Sequence, residues 1–174
     1  AQENEDDQVN RNYLNWFPSG GLTFTPNYTS SWALTYSRRI QRPNYQSLNP
    51  FERHLDELSF AKGNPFLQPQ YTNNIKLSHT YKYRLTTSLS YSYIRDFVAQ
   101  ITDTLGATRN FLITRNIANQ QVWNLGISYP FDAAKWWSVY VSVNAFHSAY
   151  EGQDEKFQAI DQNTLSFYAQ NNFT

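Results

Sequence analysis

The amino-acid sequence predicts an all-β protein whose strands form an antiparallel up-and-down meander. Apolar and polar residues alternate with a period of two in several segments, which is typical of strands with two different faces. Aromatic residues make up 17% of the chain, and Tyr, Phe, Trp and Thr favour the pleated surface of a sheet. Short turn sequences also alternate along the chain with long polar segments, as expected of consecutive antiparallel strands.

Seven segments carry this alternation, and each predicts one strand. In chain order they are residues 20–24, 32–36, 75–81, 85–93, 123–129, 137–145 and 165–170. In the clearest of them, Leu85, Leu89 and Tyr93 fall on one face of the strand, and Ser88 and Ser90 fall on the other. The pattern therefore predicts about seven or eight strands.

The connections predict a difference between the two ends of the sheet. Short turns are expected at residues 26–30, 82–84 and 130–135, and long polar segments at residues 38–73 and 148–154. Because the two kinds of connection alternate, we expect the short turns to lie together at one end and the long loops at the other.

Residues 85–129 predict a tall hairpin with two strands of roughly twenty residues each. The strands are expected to meet at Leu105, Gly106 and Ala107, because Gly supplies the turn. A tilted strand crosses a membrane with only about 9–11 residues. If the sheet spans a membrane, residues 97–119 should stand above the bilayer as a paired β-flap.

The polar face carries mainly Ser, Thr, Asn and Gln, where a soluble protein tends to carry Lys, Glu and Arg. Small uncharged polar groups opposite an apolar face are typical of a transmembrane β-barrel, in which one face meets lipid and the other lines a wet lumen. Aromatic side chains near the segment ends resemble the girdles at a membrane interface; they are Tyr91, Tyr93, Tyr129, Trp136 and Trp137. The alternative from pattern alone is a soluble β-sandwich with an aromatic core.

Several functional classes are disfavoured by composition. The chain has 14 basic and 14 acidic residues, which is unfavourable for binding nucleic acid, and it lacks Cys. Its three histidines, His54, His79 and His147, match no metal motif, and no nucleophile or acid–base constellation is recognisable. From the sequence we expect that the protein is not an enzyme and has no cofactor-binding or metal-binding site. The acidic start, with Glu3, Glu5, Asp6 and Asp7, is expected to be solvated and resembles no signal peptide.

The long segment contains an ordered set of motifs. Tyr-Ser-Arg-Arg-Ile at residues 36–40 is followed by Arg-Pro at 42–43, Leu-Asn-Pro-Phe at 48–51 and Gly-Asn-Pro-Phe-Leu-Gln-Pro at 63–69. Trp-Phe-Pro-Ser precedes them at residues 16–19, and Asn116-Ile117 and then Gly126 follow. This order, across most of residues 13–150, resembles the barrel of TonB-dependent receptors. The first motif departs from the family's Leu-Phe-Pro-Ser by having Trp in place of Leu.

The resemblance implies the cell outer membrane and a nutrient receptor that is also a transporter. Residues 1–174 are then a single, incomplete segment of the barrel, with long outer loops and short periplasmic turns and without the plug domain. The implied partners are membrane lipid, the rest of the barrel, the plug, the TonB system through other regions, and an unspecified nutrient. An alternative is a self-contained eight-stranded barrel or calyx that acts as a binding or adhesion module. An isolated fragment is expected to self-associate through its strand edges.

The motif loop is the candidate site, either as an architectural part of the barrel rim or in direct contact with a ligand. Its residues are Arg38, Arg39, Arg42, Pro43, Leu48, Asn49, Pro50, Phe51, Gly63, Asn64, Pro65, Leu67 and Pro69. The prolines remove backbone donors, so the segment is expected to be a shaped loop and not a central strand. The three arginines could bind an anionic ligand or a lipopolysaccharide phosphate, or pair with Glu52, Asp56 or Glu57.

Overall fold

The structure is a computed structural model that describes residues 15–57, 59–105, 109–152 and 160–173. In this part of the chain it contains nine strands and one single-turn helix. The strands are β1 (Ser19–Asn27), β2 (Ser30–Gln41), β3 (Arg53–His54), β4 (Ser59–Lys62), β5 (Gln70–Tyr81), β6 (Leu85–Leu105), β7 (Arg109–Ala134), β8 (Trp137–Gly152) and β9 (Ile160–Phe173), and the helix is α1 (Tyr45–Leu48).

Seven of these strands form the predicted antiparallel meander. The order across the sheet is β1-β2-β5-β6-β7-β8-β9, with every neighbouring pair antiparallel. Each of the seven segments with period-two alternation lies within one of these strands, so the prediction of the fold class is confirmed. The short strands β3 and β4 belong to the loop between β2 and β5, and β4 pairs in parallel with the first part of β7.

The strand register places the apolar residues in continuous rows across the sheet. One row crosses all seven strands and consists of Leu22, Leu34, Leu77, Leu89, Leu125, Ala145 and Leu165. The leucines on inner strands are 40–44% exposed, and those on β1 and β9 are 75% exposed. No described part of the chain covers this surface, which we call the apolar face. An uncovered apolar face differs from the buried core of a soluble sandwich.

The opposite surface, the polar face, carries small uncharged residues in the same register. One of its rows consists of Thr23, Ala33, Ser78, Ser88, Gly126, Asn144 and Ser166. A Cβ atom at Gly126 would lie 3.0 Å from both Ser88 Oγ and Asn144 Oδ1, so the polar side chains on the neighbouring strands leave little room there.

Aromatic residues mark the two borders of the apolar face. Tyr91 and Trp123 pack at one border with ring centroids 4.5 Å apart, and Tyr129 stacks on Phe131 near the other. On β7 the distance from Trp123 to Phe131 is about 27 Å along the strand, or about 21 Å in height at a typical barrel tilt of roughly 40°. This height is close to the apolar band of about 25 Å in outer-membrane barrels.

The short turns and the long loops lie at opposite ends of the sheet, as predicted, but several of the predicted turn and loop bounds are wrong. The short turns join β1 to β2, β5 to β6 and β7 to β8 at one end. Pro26 and Pro130 lie inside strands and not in turns. Thr86–Ser128 is the last β6–β7 pair, so β7 has only β8 as a neighbour at Pro130, and proline is tolerated at such a local edge.

The long connections are shorter than predicted, because the strands extend into them. Strand β2 continues to Gln41 and β5 begins at Gln70, and β8 continues to Gly152. The tall hairpin of β6 and β7 is confirmed by pairing up to Leu105 and Arg109. Its predicted turn at Gly106 and Ala107 lies outside the described residues, as does the acidic start.

The β5–β6 turn shows why these hairpins can be tight. Lys82 and Tyr83 have positive φ angles of 49° and 56°, and Arg84 N donates to Tyr81 O at 3.1 Å. Positive φ at both central residues is the requirement of a type I′ turn, whose twist matches that of the strands. In this turn the two positive-φ positions are occupied by Lys82 and Tyr83 and not by glycine.

The sheet is open in the part of the chain that the structure describes. Strand β1 pairs only with β2, and β9 pairs only with β8. Both strands therefore present an unused row of backbone donors and acceptors. Among the described residues, no helix is long and apolar enough to cross a membrane.

Candidate functional site: the loop between β2 and β5

The loop between β2 and β5 begins with a capped helical turn. The Asn44 side chain accepts a hydrogen bond from Ser47 N at 2.7 Å and so caps α1. Asn49 N donates back to Tyr45 O at 3.0 Å, and Asn49 Oδ1 accepts from Phe51 N at 3.1 Å. The Asn44 side chain thus satisfies one free N–H group of the helix, and Asn49 fixes the chain after it through its backbone N–H and its side-chain oxygen.

The two long loop motifs pack directly against each other through their backbones. Gly63 N donates to Asn49 O at 2.9 Å, and Asn64 N donates to Ser47 O at 2.7 Å. A Cβ atom on Gly63 would clash with the carbonyl oxygen of Asn49 and lie 2.8 Å from that of Gln46. Glycine is therefore required at residue 63 by the close approach of two backbone segments.

The segment after Gly63 folds inward through a local turn. Asn64 Oδ1 accepts from Phe66 N at 3.0 Å, and Asn64 O accepts from Leu67 N at 3.2 Å. Leu67 is fully buried. Burial of one leucine contributes roughly 1.5–3 kcal/mol, so Leu67 is a main anchor of the loop.

Asn116 attaches this segment to the sheet. Gln68 N donates to Asn116 Oδ1 at 2.8 Å, and Asn116 Nδ2 donates to Gln68 O at 3.0 Å. The amide side chain thus pairs with the Gln68 backbone as a neighbouring strand would. Asn116 Nδ2 also donates to Asp96 O at 2.8 Å, beside the bulge in β6. The Gly-Asn-Pro and Asn-Ile motifs are therefore joined by one side chain.

An aromatic stack supports the β3–β4 hairpin. His54 packs edge-on against Phe60 with centroids 4.4 Å apart, and Phe60 stacks on Phe111 of β7 at 5.4 Å. Both phenylalanines are buried. His54 therefore has a packing role in this hairpin.

The other two histidines also have local partners. His79 lies 2.9 Å from Ser30 Oγ and stacks on Trp32, and His147 lies 2.7 Å from Asn163 Oδ1. In the described ranges, no group of three or more residues of metal-binding type comes together.

A polar cavity of about 280 Å³ lies between the loop and the β6–β7 flap. Its lining residues are Asn44, Gln46, Ser47, Asn49, Phe51, Arg53, Ala61, Lys62, Gly63, Gln100, Leu112 and Thr114. Lys62 lies 3.8 Å from Glu52 on an exposed surface, whereas Arg53 has no carboxylate partner within the described residues. Amides, hydroxyls and a guanidinium suit an oxygen-rich or anionic ligand.

The structure brings only part of the predicted site to this cavity. Asn49, Phe51 and Gly63 line it, and Asn64 and Leu67 hold its wall in place. The other nine lining residues were not predicted as site residues. Gln100, Leu112 and Thr114 are the three of them that lie on the flap. No local signal identifies them, because their role depends on the approach of a loop about 50 residues earlier in the chain.

The three predicted arginines lie away from the cavity and do not act together. Arg38 and Arg39 are consecutive in β2 and face opposite sides of the sheet, and Arg42 follows the strand. In the part of the chain that the structure describes, none of the three forms an ion pair with Glu52, Asp56 or Glu57. Arg38 instead lies over the Tyr71 ring, with its guanidinium carbon 5.6 Å from the ring centroid.

Comparison with solved structures shows a shared fold. The siderophore receptor PirA from Pseudomonas aeruginosa has a TM-score of 0.60 at 15% identity, over 90% of this chain and 34% of the receptor. A mutant of the ferric enterobactin receptor PfeA from the same organism, in complex with enterobactin, has a TM-score of 0.55 at 14% identity, over 87% of this chain and 28% of the receptor. The chain thus spans about a third or less of these receptors.

The sequence itself identifies the family. Curated proteins include no match to this chain. The model of the outer membrane protein beta-barrel family matches residues 1–174, which is the whole chain. An antiparallel sheet with one apolar face and one face of small polar residues is the architecture expected of a segment of such a barrel wall. The chain belongs to the outer membrane β-barrel family and resides in the outer membrane.

Proposed function

We propose that this chain forms part of the wall and outer loops of a receptor that binds a nutrient and imports it across the outer membrane. One observation carries the proposal: the motif loop is fixed to the long-loop end of the sheet and lines an open polar cavity there. In outer-membrane barrels the long loops lie outside the cell, where a nutrient arrives. The fold shared with two siderophore receptors supports the same function.

The open edges of β1 and β9 support a barrel that other segments complete. A self-contained eight-stranded calyx would need an eighth strand that pairs with both β1 and β9, and the described residues contain no such strand. In this proposal, a plug and the contacts with the TonB system belong to other regions of the receptor. This chain contributes binding and containment and performs no catalysis.

The test is nutrient uptake by cells in which this protein is the sole candidate receptor. Cells are offered a panel of labelled ferric siderophores, including ferric enterobactin, together with cobalamin and oligosaccharides. We expect uptake of one compound, abolished by a protonophore because TonB-driven import needs the proton gradient. If no compound enters above the level of receptor-deficient cells, the proposed import function is wrong.

A paired variant links uptake to the cavity. Arg53→Gln with Gln100→Ala removes a cation and an amide from the lining. We expect at least tenfold weaker binding of the imported compound, because hydrogen bonds to charged groups contribute about 1.5–3 kcal/mol each. The control, Lys76→Gln on the polar face, removes one charge outside the cavity and should leave binding unchanged. Equal losses in both variants would place the ligand elsewhere.

A further inference from the structure

Two arginines and a tyrosine form a cluster on the apolar side of the sheet, just beyond the aromatic border. The Arg38 guanidinium carbon lies 5.6 Å from the centroid of the Tyr71 ring, and that of Arg95 lies 5.2 Å from it. Tyr71 is 9% exposed, and its hydroxyl donates to Asn15 Oδ1 at 3.3 Å. Cation–π attraction therefore holds two like charges close to one ring.

The register shows which side of the sheet these residues occupy. Arg38 is two residues beyond Tyr36 in β2, and Arg95 is four residues beyond Tyr91 in β6, so each shares a face with its tyrosine. Tyr71 pairs directly with Arg95 in the same row. All three side chains thus continue the apolar face toward the long-loop end, where the membrane surface lies.

The distances place the cluster at the level of lipid headgroups. Two residues of a strand rise about 6.7 Å and four rise about 13 Å, or roughly 5 and 10 Å in height at a tilt of about 40°. Aromatic girdles mark the boundary between hydrocarbon and headgroups. The guanidiniums therefore stand within about 10 Å above that boundary, on the side of the wall that faces lipid.

The cluster lacks a full set of acceptors. Arg38 Nε is buried and has no hydrogen-bond partner. Arg95 Nε contacts Asp96 Oδ2 at 3.1 Å, which balances one of the two charges. Asn73 pairs with Arg38 in the neighbouring strand, but its Oδ1 accepts from Tyr36 Oη at 3.0 Å and not from Arg38. The terminal guanidinium N–H groups of Arg38 are not buried and form no hydrogen bond with a described residue, so they can donate to an external anion.

We propose that Arg38, Tyr71 and Arg95 form a binding site for the phosphate of an outer-leaflet lipid. A phosphate accepts paired hydrogen bonds from guanidinium groups, and its acyl chains would lie along the apolar face below. A soluble nutrient would be expected at the loop cavity and not on the lipid-facing side. The site depends on membrane location and not on import, so it stands or falls separately from the proposed function.

The experiment measures lipid binding to the protein assembled in the outer membrane and extracted in mild detergent. The probes are lipid A that carries two phosphates, its dephosphorylated form, and inorganic phosphate as a competitor. We expect the wild type to bind phosphorylated lipid A about tenfold or more tightly than the Arg38→Gln/Arg95→Gln variant, since charge-assisted hydrogen bonds are lost. Dephosphorylated lipid A should not distinguish the two proteins.

The matched control is Lys76→Gln/Arg84→Gln, which removes one cation from the polar face and one from the short-turn end. It should bind phosphorylated lipid A as the wild type does. Equal weakening in the control would show a general charge effect and overturn the site. Displacement of lipid A by inorganic phosphate at similar concentrations would reveal a soluble-anion site and also overturn it.

Assembly of the double variant is verified by its resistance to unfolding in cold detergent. If it does not assemble, Arg95→Gln alone is used, because the Arg95 side chain is 56% exposed and its loss leaves the wall packed. This single variant should still bind phosphorylated lipid A at least threefold more weakly than the wild type. Unchanged affinity would overturn the proposal.

Discussion

Replacing Gly63 by alanine should detach the motif loop from its own helical turn. The added Cβ would overlap the Asn49 carbonyl oxygen and lie 2.8 Å from both Asn49 N and the Gln46 carbonyl oxygen. All three atoms are backbone, so no flexible side chain can move aside. The two segments must separate, which weakens the hydrogen bonds from Gly63 N and Asn64 N.

The magnitude follows from these contacts. Overpacking by one methyl group costs about 1–3 kcal/mol, and each weakened hydrogen bond costs about 0.5–1.5 kcal/mol. Because the loop can relax in part, we expect a local destabilisation of about 2–3 kcal/mol. This corresponds to roughly 30- to 150-fold faster amide exchange, since each 1.4 kcal/mol is a factor of ten.

Hydrogen exchange of the detergent-extracted barrel, followed by mass spectrometry, measures this effect in peptides that cover the loop. Gly20→Ala is the matched control, because a Cβ there meets no atom within 4 Å. The control should leave exchange of the loop unchanged. If Gly63→Ala exchanges no faster than Gly20→Ala, the backbone packing inferred for the loop is wrong.

Three further predictions concern the sheet. Leu89→Arg, in the middle apolar row, should destabilise the membrane-inserted barrel by about 2–4 kcal/mol, as measured by urea unfolding from lipid vesicles. The control Ser88→Arg, on the polar face, should destabilise it much less. Equal destabilisation by the two variants would contradict the assignment of the faces. Replacing Lys82-Tyr83 by Asn-Gly should raise the free energy of unfolding by about 1–2 kcal/mol in the same assay, because Asn and Gly adopt positive φ angles at lower cost. An unchanged or lower free energy of unfolding would argue against a type I′ turn. In sedimentation velocity, the isolated 174-residue chain should self-associate in buffer and form a compact detergent-bound particle in mild detergent. A monomer whose sedimentation does not change with detergent would mean that the apolar residues form an interior core.

The meander could be predicted because its signal is local. Side chains on a strand alternate with period two, so Leu85, Leu89 and Tyr93 identify their own face from sequence spacing alone. Turn residues between such segments indicate the order of neighbouring strands. The prediction of a turn at Pro130 was wrong for a tertiary reason. The pairing of β6 with β7 ends before that residue, so β7 is a local edge strand there and can contain proline.

The candidate site was only partly predictable, because its contacts join distant residues. Asn116 reaches the Gln68 backbone across 48 residues of sequence. The parallel pairing of β4 with β7 and the contribution of Gln100 to the cavity depend on the same loop approach. Proline positions predict a shaped loop, but they do not specify the surface on which it packs.

By itself, the sequence determined the strand class, the two unlike faces and the family, since these depend on residue type and on spacing along one strand. The tertiary structure decided which rows align across the sheet, where the loop packs, and that Arg38 and Arg95 share Tyr71. The physical reason is register. A shift of one residue between neighbouring strands would move a whole set of side chains to the other face, and only the paired strands fix that shift.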